Sequence, residues 1–387
     1  MEDYEVIVLG GGPVGLSVAR DIALSGFSVL VLEEHPAIGE PLQCSGLVSP
    51  DVLHLAGINN DIVINQLKGS LVYSPSGTVM PLMGDKVYAL AIDRSSFDYQ
   101  LYMQALNAGA EVLLSTSAIG LERAGAKVIV KTTSGDKQVL YATKLIIGAE
   151  GVNSLVAQFI GMPPPEIKVR LFAAEAELQN EKCELVKVFL GKSIAPGWFG
   201  WIIPLDKQNA RVGVGVYDYN SSLYCCFQLL KESYPGIFKD IKIKRLTGGI
   251  VPLGLIQKTY GSNAMVVGDA ACQIKPISGG GLYFGLLCAR HCASVAINSL
   301  RQKNYSEEEL SLYQTLWESE IGSEINTGLW YRRIFSNFPD SRIDFILRNL
   351  NRPFLRSLIL KYGDIDHPSK LSKKLSSYIS WLTHFDL

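Results

Sequence analysis

The sequence predicts an α/β fold in which a Rossmann-type sheet is interrupted by an antiparallel sheet and followed by a helical region. Three observations carry that expectation: a strand–glycine–helix–strand pattern at the start, a second glycine-rich segment far downstream, and strand-like periodicity between them. Residues 4–9 are an apolar run that breaks into Gly10-Gly11-Gly12-Pro13-Val14-Gly15. A helix-like stretch runs to Ser25, Gly26 punctuates it, and a second apolar run, Val29–Leu32, ends at Glu33. Gly10, Gly12 and Gly15 fill the G-x-G-x-x-G pattern of a dinucleotide site, between the strand and the helix where that pattern has meaning. Gly10 permits the tight turn, Gly12 lets the backbone approach a pyrophosphate, and Gly15 allows close helix–strand packing. The helix N-terminus, with Pro13 in the same loop, then offers free N–H groups and a partial positive charge to the phosphates. Glu33 stands about 20 residues past the glycines at a strand end, where a carboxylate binds ribose hydroxyls.

The second segment runs from Met265-Val266-Val267 into Gly268-Asp269-Ala270-Ala271, then Pro276 and Gly279-Gly280-Gly281. Both segments together imply FAD, held by a fold that closes on itself. Between them the parts interleave. Residues 34–50 read as a loop containing Cys44-Ser45-Gly46, and residues 67–81 as a strand pair turning at Pro75-Ser76-Gly77. Residues 93–108 have helical spacing with Gly109 as the C-cap. Residues 111–140 read as a hairpin turning at Ser134-Gly135-Asp136, and residues 144–147 as an apolar strand ending in Gly148-Ala149-Glu150-Gly151. From 169 to 216 the periodicity is strand-like, with Val212, Val214 and Val216 alternating with small residues. Ser306-Glu307-Glu308-Glu309 opens the helical remainder as a capping box. The expected division is a discontinuous FAD-binding domain (1–62, 91–162 and 257–300), a substrate-binding sheet domain (63–90 and 163–256) and a C-terminal helical region (301–387).

Composition narrows the class. The chain has 387 residues, 48% hydrophobic and 19% charged, which is enough apolar material for sizeable cores. A net charge of −1 argues against a nucleic-acid-binding surface, which is normally basic. Seven cysteines, none in a C-x-x-C pair, suggest neither a zinc site nor a disulfide framework. No metal is expected. The start is acidic and enters a strand at once, and no apolar run approaches the ~20 residues of a membrane span. The expectation is a cytoplasmic protein.

On the glycine segments, Glu33, Cys44-Ser45-Gly46, Asp93-Arg94-Ser95-Ser96-Phe97-Asp98, residues 148–154, 196–204 and 268–281, and Gly363-Asp364-Ile365-Asp366-His367-Pro368, the chain resembles a known family. It is similar to flavoprotein hydroxylases in layout and, within that fold, to the geranylgeranyl reductases, including archaeal digeranylgeranylglycerophospholipid reductases. The resemblance implies that Gly268 and Asp269 meet the ribityl chain, and that Gly279, Gly280 and Gly281, after Pro276, bring N–H groups to the isoalloxazine. A helix starting near Gly281 would aim its positive end at the N1/O2 edge and favour the anionic reduced flavin. Arg94 matches the arginine expected at the pyrophosphate or ribityl region. Glu150 stands where many hydroxylases carry aspartate, which keeps the charge but argues against NADPH use on the hydroxylase pattern. No second Rossmann fingerprint is present, so the electron donor stays open among a ferredoxin, an F420-type deazaflavin and NAD(P)H.

The same resemblance implies the chemistry. Cys44 falls near the flavin, where it would position an alkene or relay a proton. Trp198, Phe199 and Trp201 lie in a segment expected to be a strand, with Phe199, Trp201 and Ile203 on one face and Trp198 on the other. Such a strand is either core or the wall of an isoprenoid tunnel, whose affinity would come from apolar area at roughly 25 cal/mol per Å². Cys44 and Trp201 are the catalytic candidates. The expected activity is saturation of C=C bonds in geranylgeranyl chains of ether lipid precursors or geranylgeranyl diphosphate, with a hydride from reduced FAD. The shared fold also admits an FAD-dependent monooxygenase acting on a small or aromatic substrate, which Glu150 and the Cys44 loop disfavour. An amphipathic helix expected over 371–382, basic and bearing Trp381, would suit peripheral contact with the inner face of the membrane.

Overall fold

Parallel strands form the frame that the N-terminal glycine pattern predicts. In the computed structural model, which describes residues 1–217, 220–371 and 374, Ala264–Val266, Lys137–Gly148, Glu2–Leu9, Val29–Leu32 and Glu111–Leu113 lie side by side and parallel. Val29–Leu32 is buried throughout and Glu2–Leu9 from Val6 onward, which is why both read as unbroken apolar runs. The crossover helix Pro13–Leu24 turns Leu16, Val18, Ala19 and Ile22 inward and packs beside the helix Leu282–Gln302. Residues downstream of Val267 therefore return to the N-terminal loop, as the paired glycine segments require.

The hairpin turning at Ser134-Gly135-Asp136 is present, but it belongs to a three-stranded meander of Ser117–Ala124, Lys127–Ser134 and Lys137–Gly148. The last of these strands is long enough to pair with the meander in its first half and to enter the parallel sheet in its second. Helix Arg94–Asn107 starts at the expected place because the Asp93 carboxylate accepts the Ser95 and Ser96 amides at 3.0 and 3.3 Å. Such a cap contributes about 1 kcal/mol.

A second, seven-stranded sheet runs in the order Lys242–Leu253, Ile167–Glu177, Asn209–Val216, Gly200–Pro204, Leu185–Phe189, Gly69–Tyr73 and Val79–Met83. Its pairs are antiparallel apart from Leu185–Phe189 with Gly69–Tyr73. The expected strand over the tryptophans is shorter than the spacing implied. It begins at Gly200, and Trp198 and Phe199 lie stacked on each other, with centroids 5.2 Å apart and planes at 15°. Consecutive side chains in an extended strand point to opposite faces. The chain instead turns at Gly197 before it enters the sheet, which brings the two rings together. Within the strand the alternation holds: Trp201 and Ile203 join the large core shared with the nucleotide sheet, and Ile202 joins the core under helix Leu223–Ser233.

Ser306 caps helix Glu307–Trp317, its hydroxyl accepting the Glu309 amide at 3.3 Å. Helices Ser323–Phe335, Asp340–Leu350 and Pro353–Tyr362 follow. The helix expected over 371–382 lies almost wholly outside the described residues. Among the described residues no helix is long and apolar enough to cross a membrane.

Trp201 occupies the space that Gly213 leaves on the neighbouring strand: a Cβ built there would lie 2.3 Å from the indole Cζ2. Gly213→Ala is therefore expected to overpack the sheet and cost about 1–3 kcal/mol, read as a lower urea midpoint at unchanged slope. An unchanged midpoint would mean that the indole is not held at that position.

Candidate active site

The N-terminal loop is built by close backbone approach. A Cβ on Gly15 would sit 2.1 Å from the Gly10 carbonyl oxygen, and one on Gly10 would sit 2.4 Å from the Ala149 carbonyl oxygen. Gly10 itself has φ +99°, a conformation suited to glycine. Beneath the loop, the Glu33 carboxylate accepts the Gly11 amide at 2.7 Å and the His35 amide at 2.9 Å. The space beside Gly12 is open, and the helix starting there has no side-chain cap.

The downstream segment meets this loop directly, because Val14 packs against both Gly268 and Gly285. Gln273 accepts the Gly268 amide at 2.7 Å and donates to the Tyr313 hydroxyl at 2.8 Å, which fixes the turn. Helix Leu282–Gln302 begins at Gly281, again with no side-chain cap. Asp269 lies deep among protein atoms yet is open to solvent, so it lines a hollow and not the outer surface. Its carboxylate has no hydrogen-bond partner among the described residues. Burial pushes its pKa up to about 6, against the pull of Arg94.

Arg94 is buried and forked onto Asp98, with Nη2 at 2.9 and 3.0 Å from the two carboxylate oxygens. Burial opposes its charge, but the adjoining Cys44 and Asp98 outweigh that and raise its pKa. Cys44 is half-buried, accepts the Gly46 amide at 3.4 Å and lies beside this guanidinium. The loop is tied down by Arg211, whose Nη1 donates to the Ser45 and Ile92 carbonyls while its Nε pairs with Glu175 at 3.0 Å. On the other side, the Trp198 ring rests against Gly279, and Phe199 stands edge-on to Trp201 with centroids 6.0 Å apart. The Trp201 indole N–H is buried without a partner among the described residues.

The structure thus brings together Gly10, Gly12, Pro13, Gly15, Glu33, Arg94, Cys44, Gly268, Asp269 and Gly281, with Gly279 leading to the aromatic side chains. Glu150 is turned away. One carboxylate oxygen accepts the Leu155 and Val156 amides, each at 3.1 Å, and the other accepts the Ser154 hydroxyl at 2.8 Å. It caps the helix Leu155–Phe159, and it is the Glu150 backbone, with Ala149, that abuts the glycine loop.

Sequence reasoning missed several residues. Asp98 and Arg211 were not singled out, although Arg211 is a lone charge in an otherwise uncharged strand. Lys275, between the two downstream glycine groups, forms a buried pair with Asp366 at 2.7 Å. Asp366 lies in the Gly363-Asp364-Ile365-Asp366-His367-Pro368 motif, whose contact with the glycine segment no local pattern signals.

The residues fit FAD: two uncapped helix N-termini converge, open space adjoins Gly12, and an unpaired carboxylate faces the hollow. They define a flavin-dependent oxidoreductase. Residues 3–222 match the FAD binding domain family. Digeranylgeranylglycerophospholipid reductase of Methanocaldococcus jannaschii is 32% identical over 359 residues, covering 90% of each chain. The protein of that name from Methanosarcina acetivorans is 32% identical over 391 residues, covering 96% of this chain and 94% of its own. A crystal structure described as a geranylgeranyl bacteriochlorophyll reductase-like protein from Thermoplasma acidophilum superposes with TM-score 0.86 at 25% identity, covering 97% of this chain and 99% of its own. p-Nitrophenol 4-monooxygenase of Pseudomonas putida, with TM-score 0.73 at 18% identity, covers 96% of this chain and 99% of its own and shares the fold. The chain belongs to the digeranylgeranylglycerophospholipid reductase family, and its cofactor is FAD.

Asp269 yields a prediction with a definite sign. A carboxyl raised from 3.8 to about 6 in the folded apoprotein binds more protons folded than unfolded, so its contribution to stability falls as pH rises from about 4 to 6. Asp269→Asn should stabilise the apoprotein at pH 7 by on the order of 1 kcal/mol, a figure discounted for solvent contact, and have no effect below pH 4. It should weaken FAD binding about tenfold or more by removing a charged acceptor. Urea unfolding at the two pH values and a flavin fluorescence titration check both halves.

Proposed function

We propose that this reductase saturates C=C bonds in the geranylgeranyl chains of ether lipid precursors. The observation that carries the reading is the placement of Trp198, stacked on Phe199 and resting on Gly279, directly beside the glycine segment expected at the flavin ring. An aromatic wall at that point suits a long apolar chain better than a small polar substrate.

Reduced FAD, when bound, supplies the hydride. The uncapped N-termini at Gly12 and Gly281 would hold negative charge on the cofactor, and Asp269 would accept its hydroxyl donors. An isolated trisubstituted alkene has no carbonyl to absorb charge, so its reduction passes through carbocation-like character. The Phe199 ring, the least buried of the three, would tolerate that character, and Trp198 and Trp201 packed beside it would help to exclude water. Holding the alkene in register with the ring would supply much of the rate. The Cys44 Sγ, half-buried beside Arg94, is the group proposed to orient the alkene or hand on its proton.

The test is anaerobic. The flavoprotein is reduced with dithionite, a geranylgeranyl ether lipid is added under nitrogen, and products are read by mass spectrometry. The expected result is a gain of two hydrogens per reduced bond with reoxidation of the flavin. Rapid NAD(P)H-driven oxygen uptake with no saturation would refute it. Cys44→Ala is expected to keep FAD and lose about tenfold or more in saturation rate, in line with the loss of a proton-transfer group.

A further inference from the structure

Arg332, on helix Ser323–Phe335, is a deeply placed cation with no acid beside it among the described residues. Its guanidinium lies 3.8 Å above the centre of the Trp198 ring. Nε donates to the Pro276 carbonyl at 3.1 Å, Nη1 to the Gly197 carbonyl at 2.9 Å, and Nη2 to the Ile277 carbonyl. A guanidinium has five N–H donors, so two remain unused. Burial lowers its pKa, and no neighbouring carboxylate among the described residues offsets that. The side chain borders a cavity of about 200 Å³. Glu166, Ile167, Val169 and Tyr217 line it from the side of the sheet, and Arg332, Arg333, Ser336 and Asn337 from the side of the helix. Arg333 is already paired with Glu166 at 2.8 and 3.0 Å, so among the described residues Arg332 is the uncompensated cation of the lining.

We propose that this cavity is a phosphate subsite, in which Arg332 receives the phosphate ester head group of the isoprenoid lipid. The proposal rests on the reductase reading above and assigns the place at which the substrate's phosphorylated end is held. A planar fork with two free donors matches phosphate oxygens, and an anion here restores the balance that burial disturbs. Size decides between head group and chain. At roughly 30 Å³ per water-sized group, the cavity has room for about six or seven heavy atoms, a phosphate and its first carbons, and not for a whole isoprenoid. The apolar wall takes those carbons. Trp198 touches Arg332 on its face and Gly279 at its edge, so a chain leaving the cavity along the indole runs toward the downstream glycine segment.

The test uses the FAD-loaded full chain and three probes: geranylgeranyl phosphate, geranylgeraniol and inorganic phosphate, titrated calorimetrically. The phosphorylated lipid should bind at least about tenfold more tightly than the alcohol, with inorganic phosphate far weaker than either. Arg332→Gln should bring the phosphate-to-alcohol ratio close to one. Because Arg332 also holds the Pro276 and Ile277 carbonyls, Ser336→Asp is the second variant. It places a negative charge on the cavity wall without touching that loop, and should collapse the same ratio. Equal affinity for the two lipids in the unaltered protein, or variants that shift both alike, would overturn the subsite. Inorganic phosphate binding as tightly as the phosphorylated lipid would overturn the head-group assignment. If the reduced enzyme saturates neither lipid while the preference and its loss are observed, the reductase reading falls and the subsite stands.

Discussion

The N-termini of helices Pro13–Leu24 and Leu282–Gln302 converge on one hollow with no side chain capping either. Each leaves backbone N–H groups unsatisfied within the protein and a partial positive charge directed at the same space. Water can meet these groups in the solvent-open hollow, the phosphates of a ligand would meet them better, and the surrounding geometry maintains the arrangement. Val14, Gly268 and Gly285 interlock, so that neither helix can shift along the other without a clash. The Ala149 carbonyl and the Gly10 turn press the first loop from below, and Gln273 with Tyr313 does the same for the second. An unpaired Asp269 in the same hollow adds a cost that a hydroxyl-bearing ligand removes. The apoprotein is thus less stable than its packing would allow, as expected where a binding site is held open.

Around that hollow the charged residues are arranged as ties. Arg94–Asp98, Arg211–Glu175 and Lys275–Asp366 each bury at least one member. Buried ion pairs contribute little net stability, because desolvation opposes their attraction, whereas loss of one partner is costly. Their effect here is on position. Arg211 binds the backbone of the Cys44 loop to the end of strand Ala89–Ile92, and Arg94 presents its guanidinium to Cys44 and Asp269. Lys275 binds the downstream glycine segment to a motif near the chain's other end. Three segments distant in sequence are therefore held at fixed separation across the site.

The parts of this arrangement that were legible in the sequence are local. A glycine pattern between an apolar run and a helix, an Asp93 or Ser306 cap, and a turn at Ser134-Gly135-Asp136 each depend on a few consecutive residues. Convergence of the two glycine segments was also legible, because a known family carries both. The stacking of Trp198 on Phe199 was not, since it depends on a turn at Gly197 and on the bare backbone of Gly215 in the next strand, against which Trp198 lies. The capping role of Glu150 was hidden for a related reason: the helix it caps, Leu155–Phe159, is too short to announce itself by periodicity. Arg332 gave no signal, because a single arginine in a helical stretch rich in arginine reads as a solvated face.

The indole of Trp198 joins these features into one chain of contacts. Its face carries Arg332, its edge meets Gly279, and Phe199 stacks beside it. A cation over an aromatic ring is attracted by the ring's electron density, and it withdraws part of that density from the Phe199 ring stacked beside it. A wall intended to tolerate positive character in an alkene would be weakened by such a cation if its charge stayed uncompensated. Neutralisation of Arg332 by an anion would remove that penalty while leaving its three carbonyl contacts intact. Binding of an anionic group at one end of a substrate would then improve the electrostatic setting for chemistry at the other, through the stacked Trp198 and Phe199 rings. On this argument the arginine's position over Trp198, and not merely its charge, makes an anionic head group the suitable occupant of the neighbouring cavity.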